Sequence, residues 1–61
     1  MWKLHITLDA LKDVQEVVYH KTFLGKSKKE VVEKSCAFIQ LLHKGGWQIV
    51  HMDTDFINLS S

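Results

Sequence analysis

From Thr22 to Trp47 the chain carries a complete strand–helix–strand unit with its boundaries marked: Gly25, then Ser27-Lys28-Lys29-Glu30, an apolar helical stripe, Gly45-Gly46, and Trp47-Gln48-Ile49-Val50. Ser followed three residues later by Glu is a capping box, in which each side chain satisfies a backbone amide that the first helical turn leaves open. On a 3.6-residue wheel Val31, Val32, Ser35, Phe38, Ile39 and Leu42 share one face, with Lys29, Glu33, Ala37, Gln40 and Lys44 opposite. Glu30 and Lys34 are spaced to support the helix as an i,i+4 pair. Gly45 is expected to take the left-handed conformation that ends a helix, and Gly46 to free the chain for a strand over Trp47 to Met52.

Ahead of this unit, Trp2, Leu4, Ile6 and Leu8 alternate with Lys3, His5 and Thr7, the period of a strand with one buried face. Asp9 to Asp13 breaks the alternation and reads as a turn. Val17, Tyr19 and Phe23 then set the inward face of a second, antiparallel strand. Residues 10–20 also fit a helix, through Leu11, Val14 and Val18 with Asp9 as cap, but the β-rich run Val17 to Phe23 favours the strand. Asp53-Thr54-Asp55 reads as a turn. Phe56-Ile57-Asn58-Leu59 is apolar enough to return as a short edge strand or to cross to a second subunit. The expected fold is α+β, in the order ββαβ, one amphipathic helix on one face of a three- or four-stranded, mainly antiparallel sheet, with residues 1–61 forming one domain.

A 61-residue chain buries only about 60% of the surface its unfolded form exposes. Its single cysteine, Cys36, cannot make an internal disulfide, and small domains without such staples often oligomerise. A homodimer is therefore expected. No apolar run approaches a membrane span, and the N-terminal residues lack a secretory pattern. The expected location is the cytoplasm, without membrane association.

Net charge is +1 and every basic residue is lysine. That leaves no global field for nucleic acid and no arginine to read base edges. One helix covers one sheet face, so His5, Val18 and His20 are expected on the other. The last strand has two possible parities. In one, Val50 and Met52 face the helix, and Trp47, Ile49, His51 and Asp53 look outward; in the other the sides are exchanged. The first parity gives an interaction face of Val18, His20, Trp47, Ile49 and His51. Two copies closing over it is one expectation; a platform for bases, with Trp47 as stacker, is the other.

Lys26, Ser27, Lys28 and Lys29 form a candidate anion or phosphate site, because helix-start amides and nearby lysines attract negative charge. Flexible lysines on a solvated first turn are the plainer account. Gly25-Lys26-Ser27 is not a phosphate-binding P-loop, since the first glycine of that pattern falls at His20. His5, His20 and His51 could approach one another as zinc ligands, but no ligand spacing demands it, and neither metal nor cofactor is expected. Cys36 and His43 lie two helical turns apart, about 10 Å along the axis, too far for a thiolate–imidazole pair. With no catalytic constellation, the expected function is that of a small non-enzymatic interaction or regulatory protein that self-associates and binds another macromolecule. The alternative is weak single-stranded nucleic-acid binding through the open sheet face and the lysine cluster.

Overall fold

The computed structural model describes residues 1–59. Three eleven-residue strands and one helix follow the order β1 (Trp2–Lys12), β2 (Gln15–Gly25), α1 (Lys28–Lys44) and β3 (Gln48–Asn58). The sheet order is β2-β1-β3 with both pairings antiparallel. β2 and β3 thus run parallel on either side of β1, joined by a helical crossover, which is the α+β, ββαβ layout.

β1 is central because its inward side chains are the ones that can be covered from every direction. Leu4, Ile6, Leu8 and Ala10 are all 1% exposed or less. Leu4 sits between Phe23 and Phe56 in register, Leu8 between Tyr19 and Met52, and Ala10 between Val17 and Ile49. Val31 and Leu42 close the core from the helix. Ser35, also buried, donates its hydroxyl to Val32 O at 2.7 Å, so its polarity is satisfied within α1. Of the expected stripe, Phe38 and Ile39 are half-buried and Val32 stays exposed.

Two expected turns are strand instead. Asp9 to Lys12 continues β1, and the hairpin turns on Asp13-Val14 alone, with Asp13 at φ 55° and Lys12 opposite Gln15. Val14 is 96% exposed, which disposes of a helix over 10–20. Asp53-Thr54-Asp55 likewise lies inside β3, opposite Thr7, Ile6 and His5. Both segments place their aspartates on the uncovered side of the sheet, where a solvated charge does not interrupt a ladder. Phe56, Ile57 and Asn58 extend β3 directly, and Leu59 N–H donates to Met1 O at 2.9 Å, so this tail makes no separate fourth strand. Ser60 and Ser61 lie outside the described residues.

The helix starts as its capping box requires at Ser27, whose Oγ accepts from Glu30 N–H at 3.1 Å. The Glu30 carboxylate returns to Lys26 N–H rather than to that of Ser27. At the other end it is Gly46, at φ 87°, that is left-handed, while Gly45 keeps φ −79°. Trp47 N–H donates to Leu42 O (2.9 Å) and Gly46 N–H to His43 O (3.0 Å), the crossed pair of a Schellman motif. This motif aims Trp47 back at the core. Replacing Gly46 with alanine should cost about 1 kcal/mol, because a Cβ is strained at positive φ, and lower the melting temperature by roughly 4–8 °C. An unchanged thermal melt would show that the last turn can reform without Gly46.

An aromatic rim surrounds the aliphatic core. Tyr19 meets Phe38 and Trp47 edge-on, with centroids 6.0 and 6.1 Å away, and Phe23 meets Phe38 at 6.1 Å. Lysine stems roof the rim: Lys21 over Phe38, Lys12 over Trp47, and Lys28 over both Trp2 and Phe56. In so small a domain these stems cover apolar surface that no further element is present to cover.

Candidate interaction surfaces

The sheet face away from α1 is uncovered. By strand alternation it carries Lys3, His5, Thr7, Asp9 and Leu11 from β1, and Glu16, Val18, His20, Thr22 and Leu24 from β2. β3 reaches it only after an irregularity. Ala10 pairs with Ile49 but Asp9 pairs with His51, so Val50 is an extra, bulged residue. Side chains before the bulge follow one parity and those after it the other.

The expected face of Val18, His20, Trp47, Ile49 and His51 is therefore divided. Val18, His20 and His51 stand on the open side, whereas Trp47 and Ile49 pack against the core beneath the helix. Each of the two parities considered from sequence holds for half of β3. Beyond the bulge His51, Asp53, Asp55 and Ile57 look outward, while Met52, Thr54 and Phe56 lie on the helix side.

The open face is a polar mosaic already bonded within itself. His5 Nδ1 and Thr22 Oγ1 are 3.0 Å apart, Thr7 Oγ1 and His20 Nδ1 3.2 Å, and His51 Nε2 and Asp53 Oδ2 3.1 Å. The His5 and His20 rings stack with centroids 6.2 Å apart. His51 stands two strands away from His20, on the order of 10 Å at the usual strand spacing. Among the described residues no three metal-binding side chains converge. Lys3 stands on this face against Asp9, Glu16, Asp53 and Asp55, so carboxylates outnumber amines here. No Trp, Tyr or Phe among the described residues stands on it.

The lysine-rich helix start does not assemble as one site. Glu30, from the same first turn, puts its carboxylate on the Lys26 amide and so occupies the position an external anion would take. Ser27 Oγ is engaged by Glu30 N–H, Lys28 lies over Trp2 and Phe56, and Lys29 reaches Glu33 at 4.0 Å across an exposed, weak ion pair. The signal for this was present in Glu30 itself, as an acidic group supplied at the positive end of its own helix.

The surface that sequence reasoning reached only at its tail, in Phe56 to Leu59, is the outer edge of β3. Leu59 N–H points to Met1, the residue just ahead of β1. Alternation along an antiparallel strand then aims the N–H and C=O groups of Met52, Thr54 and Phe56 away from the sheet. Beside this edge the helix leans toward β1 and β2 and touches β3 least, leaving Met52 (42%) and Phe56 (37%) exposed. Val32 (38%), one turn beyond Lys28 on α1, adds to the same flank. The other edge differs. Lys34, expected to pair with Glu30, instead donates from Nζ to Leu24 O at 2.6 Å and covers an outer carbonyl of β2. β3 contains no lysine at all. The alternation of Met52, Thr54 and Phe56 with His51, Asp53 and Asp55 could have revealed this strand, had the two aspartates not resembled a turn.

No cavity opens among the described residues, and none of their helices is long and apolar enough to cross a membrane. Compared with protein-family models, with curated proteins and with solved structures, the chain has no significant match.

Proposed function

We propose that this is a small interaction protein of regulatory type that self-associates along β3 and presents its open sheet face to another macromolecule in the cytoplasm. It acts by binding and not by catalysis. The observation that carries the reading is the β3 edge: a long edge strand with the backbone groups of Met52, Thr54 and Phe56 aimed outward and an apolar flank of Met52, Phe56 and Val32. Edges of this kind are templates for pairing with another chain unless they are blunted, and Lys34 blunts only β2. Association also supplies apolar burial that a 61-residue chain cannot obtain alone.

The acidic balance of the open face favours a partner with basic groups. The same balance works against single-stranded nucleic acid, whose phosphates would meet Asp9, Asp53 and Asp55 and whose bases would find no aromatic ring to stack on.

Sedimentation equilibrium over a wide concentration range should give the mass of a dimer, retained in high salt because apolar contacts and backbone hydrogen bonds form the interface. A monomer at every concentration would overturn the self-association reading.

A further inference from the structure

We infer that the partner at the β3 edge is a second copy of this chain, joined antiparallel about a two-fold axis at Phe56, so that two three-stranded sheets become one sheet of six strands. This deepens the self-association reading and rests on it. Three features of β3 select the arrangement.

The first is parity. In a two-fold antiparallel pair, opposed residues must lie on the same sheet face, so some residue must stand opposite its own copy. The second is the bulge at Val50, which breaks the ladder and leaves residues beyond it as the regular stretch of edge. A centre at Met52 would run both copies into the bulge. The third is charge. A centre at Thr54 places Asp53 opposite Asp55 of the second copy, twice, and centres at Asp53 or Asp55 set each carboxylate against itself; like charges directly opposed are destabilising.

A centre at Ile57 sets Phe56 against Asn58, apolar against polar, whereas a centre at Phe56 avoids all of these. Phe56 meets Phe56 on the helix side, Thr54 meets Asn58, and on the open side Asp55 meets Ile57 and Asp53 meets Leu59. Apolar residues thus face apolar ones and polar face polar beneath the helices. No carboxylate opposes another. Lys3, which neighbours Ile57 in the ladder, lies one strand further along the row that ends on Asp55 of the second copy, within reach of a lysine stem. Phe56 N–H of each copy donates to Phe56 C=O of the other, and Lys28, already over Phe56, roofs the ring pair from the helix start.

The arrangement is read out by mixed disulfide formation. Because β3 points the N–H groups of Asp55 and Ile57 toward β1, the Asp55–Ile57 contact between copies is a non-hydrogen-bonded pair with Cα atoms about 4.5 Å apart, within the range a disulfide bridges. Cys36, which is exposed, is first replaced by serine. Equimolar Asp55→Cys and Ile57→Cys proteins in that background, gently oxidised, should give the mixed dimer in several-fold excess over either same-variant dimer. Asp53→Cys mixed with Asp55→Cys should give little. Preferential Asp53–Asp55 coupling would overturn the Phe56 register, and no coupling in protein that still sediments as a dimer would overturn edge pairing itself. A monomer by sedimentation would instead remove the self-association reading beneath both.

Discussion

Truncating Leu8 to alanine is expected to remove about half of this protein's stability and to lower its melting temperature by roughly 10–30 °C. Leu8 has no exposed surface and lies at the middle of the central strand, between Tyr19 and Met52 in the ladder. Removing a fully buried leucine side chain costs about 2–5 kcal/mol through lost transfer energy and the cavity left behind. At ~0.05–0.15 kcal/mol per residue, a domain of this length has a total stability of only about 3–9 kcal/mol. The remaining core, Leu4, Ile6, Ala10, Val31 and Leu42, has no second layer from which to refill the gap. Far-UV circular dichroism with thermal melting, on protein dilute enough to exclude association, is the measurement. A cooperative melt within a few degrees of the parent would mean that β1 does not hold the core as described. Val32→Ala on the exposed flank is the matched control and should move that melt little.

Replacing Thr54 with proline should separate association from folding. Thr54 lies on an edge strand with its N–H aimed outward, the setting in which a strand tolerates proline. Within one copy no ladder hydrogen bond is lost. Between copies the substitution puts a ring where the second strand of the proposed pair approaches, so the dimer dissociation constant should rise by about 100-fold, an effect of the size seen at interface hot spots. Sedimentation reports the association and the melt at low concentration reports the fold. If Thr54→Pro folds and still dimerises with parental affinity, the interface lies elsewhere on the molecule.

What was legible in the sequence follows how locally each feature is encoded. The helix from Lys28 to Lys44 could be read because Ser27, Glu30 and the glycine pair act within a turn of where they stand. The inward stripe of β1 was legible to Leu8, and it was Asp9 that obscured its continuation through Ala10. Asp53 and Asp55 obscured β3 in the same way. A sheet covered on one side accepts carboxylates on the other at no cost, so a charged residue there marks a face and not an end. The division of the candidate face had no local signal. Ile49-Val50-His51 does not announce a bulge, which exists because β3 must deliver both Trp47 and Met52 to the helix side while paired with a regular β1. Lys26, Lys28 and Lys29 were legible as a cluster, but the destination of Lys28 depended on Trp2 and Phe56, rings brought near by the sheet.

The contact of Lys34 with the Leu24 carbonyl bears on how far assembly can go. A chain offering two equivalent free edges can join head to tail, β2 of one copy to β3 of the next, and such contacts do not close: they propagate into ribbons and fibres. Lys34 occupies one outer carbonyl of β2 near its end, and on the pairing proposed above the β3 edge is consumed when two copies meet. On that pairing the lysine amine hinders head-to-tail growth at the Leu24 end of β2, from the side of the sheet that takes no part in forming the pair.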